Sequence, residues 1–362
     1  MNKLRKKLKV VPKEKMPKNK VIKIIVRMPT ILETEKFILD TVRGQDEQVR
    51  QIVNAEYKSI NYQIKSNVLI VGKSGTGKTE ILRQLAKKTG KACITVDAND
   101  YTEEAYKGAN VSDIVLQLLR ETNFDFDRAE NGIVIIDEID KKAKPLDSFS
   151  RDVSGKGVQD ALLKLIEGKS IPISMFRVDS QVPEVYYINT ENIMFFFAGA
   201  FSGIDKIIKN RLRQSYKMGF SAETKSEKQV QEERKIQKAD LIKFGLEEEF
   251  VGRIDTIVQL NDLSEEVLVD ILKNSKKSRL KTYLHCLKSD GITVKYNENC
   301  IKNFAKKAQK DGKETGAREI SNVINYVFDQ IMYQVMSKPQ GTYKELILQE
   351  GIEEDNTKYI LR

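Results

Sequence analysis

The chemistry that this sequence indicates most clearly is the binding of phosphate groups. The loop from Gly72 to Thr79 fits the pattern G-x-x-x-x-G-K-[ST]. Its glycines let the backbone wrap tightly and aim several N–H groups at one anion, and the following helix N-terminus adds a partial positive charge. Lys78 is expected to reach the β- and γ-phosphates of a nucleoside triphosphate, and the Thr79 hydroxyl to hold Mg²⁺. The predicted nucleotide-binding residues of this stretch are Gly72, Lys73, Ser74, Gly75, Thr76, Gly77, Lys78, Thr79 and Glu80.

Two carboxylates form the second candidate site. Asp137 and Glu138 follow the apolar run Ile133–Ile136, which reads as a buried strand. Asp137 at the strand tip is expected to bind Mg²⁺, and Glu138 to position and polarise the attacking water. Many strands end in Asp-Glu, but a preceding phosphate loop makes the combination specific for nucleotide hydrolysis.

Two arginines are candidates for contacting the phosphate charge that develops during hydrolysis. Arg253 lies in the segment Glu249–Arg253, and Arg318 lies at the start of a predicted helix. An arginine that contacts the transferred phosphate accelerates hydrolysis by about 10³–10⁵. The residues alone also fit surface ion pairing, so both roles stay open at this level.

These residues require a scaffold in which strands alternate with helices. The alternation predicts an α/β fold with a mostly parallel sheet that is covered by helices, and a ligand at the carboxyl end of its first strand. The predicted strands of this part are Asn67–Val71, Cys93–Asp97, Ile133–Ile136, Ile193–Phe197 and Thr256–Leu260.

From about Leu263 the pattern becomes mainly helical. Ser264 is predicted to be the N-cap of a helix, and long helices are predicted to follow to about Arg279 and beyond. Short strands are predicted at 292–294 and 346–348. The predicted organisation is a flexible basic tail at residues 1–27, a large nucleotide-binding domain at residues 28–261, and a smaller, mainly helical domain at residues 262–362.

The net charge of +10 lies entirely in the tail, because residues 1–27 hold eleven Lys or Arg and one Glu. A solvated, disordered arm is the simplest interpretation of this segment. Docking to nucleic acid or another acidic partner is the alternative, and it would operate only through the tail. No aromatic residue lies between the tail lysines, so base stacking has no support there.

Cysteine and histidine usage limits the possible chemistry. The three cysteines form no C-x-x-C pair, so we expect neither disulfides nor a cysteine-based zinc site. His285 is the only histidine, so we expect no histidine-based triad. No apolar run approaches the length of a membrane span, and no signal-peptide pattern is present. We therefore expect a cytoplasmic protein without a membrane partner.

From about Pro29 onward the chain resembles the ClpX family of AAA+ protein unfoldases. The segment 151–168, which reads RDVSGKGVQDALLKLIEG, is close to that family's signature after the acidic strand. The segment 240–253, which contains DLIKFGL and EFVGR, is similarly specific. The resemblance covers more than nine-tenths of the chain, and its motifs are far rarer than a phosphate loop.

The resemblance implies a ring, expected to be a hexamer, that pulls unfolded or tagged proteins through a central pore and delivers them to the ClpP peptidase. It implies that Arg253 enters the neighbouring subunit's site and that Arg318 contacts nucleotide from the small domain. The other residues that match family positions are Val42, Arg43, Gly44 and Gln45 beside adenine, Tyr106, Lys107, Arg151 and Lys156 in two pore loops, and Met218, Gly219 and Phe220 in the loop that docks on ClpP.

The chain also departs from the family pattern. We expect no counterpart of the family's zinc-binding N-terminal domain in residues 1–27, because they hold no cysteine, and Lys107 and Lys156 add positive charge to the pore loops. We therefore expect a substrate preference shifted towards acidic segments. Two alternatives stay open: a remodelling ATPase that never meets ClpP, and a nucleic-acid-associated AAA+ ATPase that uses the basic tail.

Overall fold

The computed structural model describes residues 28–101, 111–144, 153–176, 183–217, 233–311, 316–353 and 356–362. The helices are α1 (Ile31–Leu39), α2 (Asp46–Tyr62), α3 (Lys78–Thr89), α4 (Ser112–Glu121), α5 (Phe126–Ala129), α6 (Val153–Ile166), α7 (Ile204–Lys217), α8 (Lys238–Phe244), α9 (Glu248–Gly252), α10 (Glu265–Asn274), α11 (Arg279–Ser289), α12 (Glu298–Asp311) and α13 (Ala317–Met336). The strands are β1 (Val68–Val71), β2 (Cys93–Asp97), β3 (Ile133–Asp137), β4 (Ser170–Phe176), β5 (Pro183–Asn189), β6 (Met194–Gly199), β7 (Thr256–Gln259), β8 (Thr293–Lys295), β9 (Glu345–Glu353) and β10 (Asn356–Leu361).

A parallel sheet forms the centre of the first two thirds of the chain. Within the described residues it has five strands in the order β2-β3-β6-β1-β7, and every neighbouring pair is parallel. The inner strands β1 and β6 are buried along their whole length because helices cover both faces. The predicted α/β fold is confirmed, and the strand predictions in this region match β1, β2, β3, β6 and β7.

Alternate residues of each strand feed two hydrophobic clusters, one on each face of the sheet. Phe195 and Phe197 of β6 point to the face covered by α4 and α6, whereas Phe196 packs on the face of α2 and α3. The Phe197 ring meets the Phe250 ring edge to face, with centroids 4.9 Å apart. This contact fixes α9, and therefore the backbone of Arg253, against the sheet.

The C-terminal region has its own hydrophobic cluster, formed by residues between Leu268 and Leu348. Helices α10–α13 enclose it together with a sheet of β8, β9 and β10. The predicted short strands correspond to β8 and β9, whereas β10 was not predicted. The domain boundary after residue 261 stays a prediction. In the described part of the chain, no helix combines the length and apolar character needed to cross a membrane.

Two features differ from the sequence predictions. The hairpin of β4 and β5 was missed because Pro172 and Pro183 lie within its strands, and proline normally argues against a strand. The hairpin tolerates them because a two-stranded ribbon has open edges. The helices predicted as long after Ser264 are short: α10 ends at Asn274, and α11 begins after Ser278, whose side chain accepts from the Lys281 N–H.

Replacing Phe197 by alanine tests the importance of the β6 core. The side chain is fully buried, so its removal should lower the free energy of unfolding by about 3–5 kcal/mol. Leu32→Ala is the control, because Leu32 is 74% exposed and its loss should change the value by less than about 0.5 kcal/mol. Urea unfolding of both variants gives the comparison, and equal stabilities would contradict this description of the core.

Candidate functional site

The phosphate loop joins the central strand β1 to helix α3. Gly75 and Gly77 have positive φ values of 76° and 106°, a backbone conformation that side chains with a Cβ adopt rarely. Gly77 is the N-cap of α3 and gives no side-chain cap hydrogen bond. The first N–H groups of α3 therefore remain available, and the loop has the geometry of an anion-binding site.

Lys78 points into this loop. Its Nζ donates to the carbonyl oxygens of Gly72 at 2.6 Å and Lys73 at 3.0 Å, which holds the ammonium group beneath the loop. Burial lowers the pKa of Lys78, the Asp137 and Asp140 carboxylates raise it, and the Arg318 guanidinium lowers it. A phosphate group in the loop would therefore meet a partly desolvated cation, where electrostatic attraction is stronger than in water.

Thr79 and Asp137 come together as the sequence predicts for a metal site. The Thr79 hydroxyl donates to Asp137 Oδ2 at 2.9 Å. Mg²⁺ prefers oxygen ligands and is commonly held by one or two protein groups together with substrate phosphates. The two residues fit that donor set, and no group of three or more His, Cys, Asp or Glu in the described ranges forms an alternative metal site.

Glu138 lies beside this pair in a left-handed backbone conformation, with φ of 57°. Its carboxylate accepts from the Asn99 side-chain amide at 2.8 Å. Sequence reasoning missed Asn99, which follows the end of β2. The sequence carried no signal for this contact, because only the structure shows that β2 neighbours β3, so that the residues after both strands meet at the carboxyl edge of the sheet. Asn99 fixes the direction of the carboxylate predicted to polarise water.

Arg318 enters the site from the C-terminal region. The Ala317 N–H donates to the Gly75 carbonyl at 3.1 Å, so the start of α13 touches the phosphate loop directly. Gly316 makes this approach possible, because a Cβ there would lie 2.9 Å from the Ser74 carbonyl oxygen. The phosphate-loop region and the start of α13 together enclose a cavity of about 820 Å³. It is lined by Lys78, Asp137, Glu138 and Arg318. Its volume lies within the range of small-molecule sites.

The four residues predicted to lie beside adenine divide into two groups. Val42 and Arg43 line the cavity. Gly44 and Gln45 lie behind it: Gln45 is fully buried and exchanges two hydrogen bonds of 2.9 Å with the backbone of Asn261. The side-chain amide of Gln45 is thus engaged in joining two segments of the chain and is turned away from the cavity.

Polar contacts fasten the C-terminal region around the cavity. Glu80, which the sequence predicts to bind nucleotide, is paired with Lys277. The contacts are Lys277 Nζ with Glu80 Oε1 (2.6 Å), Lys276 Nζ with Asp40 Oδ2 (2.6 Å), Ser275 Oγ with the Thr41 carbonyl (2.7 Å), Arg43 Nη2 with the Asn274 carbonyl (3.1 Å) and Lys73 Nζ with Asp262 Oδ2 (2.6 Å).

Arg253 does not reach this cavity. The Asn67 side chain donates to the Arg253 carbonyl at 3.0 Å, which places Arg253 at the amino end of β1. The phosphate loop leaves the opposite end of that strand, roughly 16 Å away at about 3.3 Å per residue. The Arg253 guanidinium is 56% exposed and lies 3.1 Å from Glu167.

The predicted pore and docking residues are mostly beyond what the structure describes. Lys156 lies within it and forms an exposed ion pair of 3.4 Å with Glu247. The residues outside the described ranges are Tyr106, Lys107, Arg151, Met218, Gly219 and Phe220.

Comparison with known proteins adds independent findings. A family model described as "AAA domain (Cdc48 subfamily)" matches residues 63–257. The chain is 36% identical over 328 residues to the "ATP-dependent Clp protease ATP-binding subunit ClpX" of Treponema denticola, which covers 86% of this chain and 78% of that protein. It is 37% identical over 281 residues to the protein of the same name from Borrelia duttonii, which covers 76% of this chain and 65% of that protein.

Gly316→Ala tests whether α13 must touch the phosphate loop. The added Cβ would meet backbone atoms of Ser74 and Gly75, so α13 must retreat and nucleotide affinity should fall about tenfold. Gly341→Ala is the control, because Gly341 also has positive φ but nothing within 4 Å of an added Cβ. The affinity of each variant for a labelled ADP is measured by fluorescence anisotropy. Equal affinities of the two variants would contradict the role of the contact between α13 and the phosphate loop.

Proposed function

The chain belongs to the ClpX-type family of AAA+ ATPases, and from that membership we propose that it is an ATP-driven protein unfoldase that works as a ring. The position of Arg253 carries this proposal. Arg253 lies at the edge of the sheet opposite to its own phosphate loop, so it can complete a nucleotide site only on a neighbouring molecule. A head-to-tail arrangement of this kind closes into a ring when the rotation between subunits permits. We propose a hexamer.

Within one subunit the residues have separate roles in ATP hydrolysis. Backbone N–H groups of the phosphate loop and the Lys78 ammonium would bind the phosphates, while Thr79 and Asp137 would hold Mg²⁺, which neutralises phosphate charge when bound. Glu138, oriented by Asn99, would position the attacking water and accept its proton. Arg253 of the neighbour would stabilise the charge on the transferred phosphate.

Hydrolysis would act on polypeptide through the contact between the C-terminal region and the phosphate loop. Arg318 and the Ala317 N–H sit at this contact, so loss of the terminal phosphate would change the angle between the two parts. We propose residues 28–261 and 262–362 as the two moving domains and residues 1–27 as a flexible tail. In the ring, Tyr106, Lys107, Arg151 and Lys156 would line the pore.

The names of the two relatives suggest a partner. Both are called ATP-binding subunits of a Clp protease. We propose that this chain likewise delivers unfolded polypeptide to a ClpP-type peptidase in the cytoplasm, with Met218, Gly219 and Phe220 as the docking loop. Positive charge at Lys107 and Lys156 favours substrates with acidic segments.

Two variants test the shared site. Glu138→Gln should bind ATP and stop turnover because the carboxylate that accepts the proton is lost. Arg253→Ala should bind ATP but lose at least about 10³ in hydrolysis rate. Arg120→Ala, which removes another exposed arginine, should hydrolyse ATP normally.

Mixing the two inactive variants shows whether Arg253 acts on the nucleotide site of its own subunit or on that of a neighbouring subunit. An Arg253→Ala subunit keeps Glu138, and a neighbouring Glu138→Gln subunit can supply the missing Arg253. In a 1:1 mixture this pairing occurs at about a quarter of the interfaces of a closed ring, and those sites should recover activity. Absence of any recovery after subunit exchange would show that Arg253 acts within its own chain and would contradict the ring proposal.

Capture with a purified ClpP peptidase ring tests the partner. The wild-type chain with ATP should be retained, and Phe220→Ala should reduce retention about tenfold because the docking side chain is lost. Phe124→Ala, at an exposed phenylalanine elsewhere, is the control. If the wild-type chain is not retained, or if Phe220→Ala is retained equally, the chain is a remodelling ATPase that works without this docking loop.

A further inference from the structure

Strand β2 forms one edge of the parallel sheet. The Ile133 N–H donates to the Ala92 carbonyl at 2.8 Å, and Cys93 is paired in register with Ile133. In a parallel ladder, bonding to one neighbour alternates along the strand. Ile94 and Val96 therefore bond to β3, whereas the N–H and C=O groups of Cys93 and Thr95 point away from the sheet. Among the described residues no strand pairs with this side of β2.

The outward side of β2 opens into a cleft of about 370 Å³ with an unusual charge balance. Four cations line it, but only one carboxylate, that of Glu121. Burial raises the pKa of the Cys93 thiol to about 11, so the thiol is neutral at pH 7 and adds no negative charge. The four cations are Arg83, Lys87, Lys91 and Arg128.

Three of these cations have no counter-ion within the described ranges. Lys91 lies 3.5 Å from the buried carboxylate of Glu56 and is thereby engaged. Arg83, Lys87 and Arg128 are exposed, and none of them forms an ion pair with another described residue. Arg83 also lines the nucleotide cavity, so Lys87 and Arg128 are the cations that belong to this cleft alone. Their charges repel one another, so an anion between them relieves that repulsion as well as forming contacts of its own.

The cations lie on both faces of the β2 edge. Cys93 packs on the cluster that contains residues of α3, the helix that carries Arg83 and Lys87. Ile94 packs on the opposite cluster, which contains Ala129 next to Arg128. An extended strand added to β2 would direct successive side chains to opposite faces of the sheet. Acidic side chains in such a strand would meet cations on either face.

We infer that the edge of β2 is a docking site for an extended acidic peptide that adds to the sheet as a further strand. The outward N–H and C=O groups of Cys93 and Thr95 match a peptide backbone, which supplies both donors and acceptors. A simple phosphate anion would use the N–H groups and be repelled by the carbonyl oxygens. The flanking cations select acidic side chains. The inference is independent of the proposed unfoldase function.

The probe is a fluorescein-labelled peptide of eight residues with the repeat Glu-Glu-Val-Val, which places glutamate on both faces of an extended strand, and its binding to the full chain is followed by anisotropy. Lys87→Glu combined with Arg128→Glu should weaken binding about tenfold or more, because two attractive charges become repulsive. Lys306→Glu combined with Arg120→Glu makes the same charge change at exposed positions outside the cleft and should leave binding within about twofold.

Thr95→Pro separates strand addition from plain charge attraction. Proline removes the outward N–H of residue 95 and leaves the β3 pairing of Ile94 and Val96 in place. Binding should fall about tenfold, whereas Thr95→Val, which keeps the N–H, should bind as the wild type does. Normal ATP hydrolysis by all variants establishes that they fold.

Three results would overturn the inference. Equal affinities of Thr95→Pro and Thr95→Val would show that no strand is added. Displacement of the peptide by an equal concentration of sodium triphosphate would show a site for any polyanion. Equal binding of a peptide with lysine in place of glutamate would show that the cations do not select acidic side chains.

Discussion

The parallel pairing of β1, β3 and β6 is the constraint on which the nucleotide site depends. Because these strands run in one direction, their carboxyl ends lie at one edge, and the residues that follow them meet there although they are far apart in sequence. The hydrogen bond between Thr79 and Asp137 is the direct result. Three consecutive phenylalanines in β6 hold this arrangement by filling the core on both faces of the sheet.

A second dependence links the cavity to the C-terminal region. The cavity is complete only because α13 approaches the phosphate loop closely at Gly316, and further ion pairs such as Lys277 with Glu80 surround it. Exposed ion pairs contribute little stability one by one, typically about 0.2–1 kcal/mol each. A set of weak contacts around a ligand site can exchange when the ligand changes, whereas the apolar clusters on either side remain intact. Such an arrangement suits the proposed motion between the two domains.

The edges of the sheet differ in their use. The carboxyl edge holds the phosphate-binding chemistry, whereas the amino edge presents Arg253 on the outside of the molecule, 3.1 Å from Glu167. The lateral edge at β2 is flanked by cations that have no counter-ion in the described part of the chain. The exposed Arg253 and the cations beside β2 are both positioned to bind another polypeptide. For Arg253 this is a second copy of the chain, and for the β2 edge it is an acidic segment. The outer surface of this fold therefore carries as much of its chemistry as the cavity does.

The sequence by itself determined the phosphate loop, the acidic strand tip, the α/β alternation and the family, because each depends on residue types at short, fixed spacing. It also gave most strand positions, since apolar runs bounded by glycine or charge have few other conformations. Only the tertiary structure decided that Asn99 orients Glu138, that Gln45 turns away from the cavity and that Arg253 lies far from its own phosphate loop. These are contacts between segments distant in the chain, and they depend on strand order and helix packing, which local spacing does not encode.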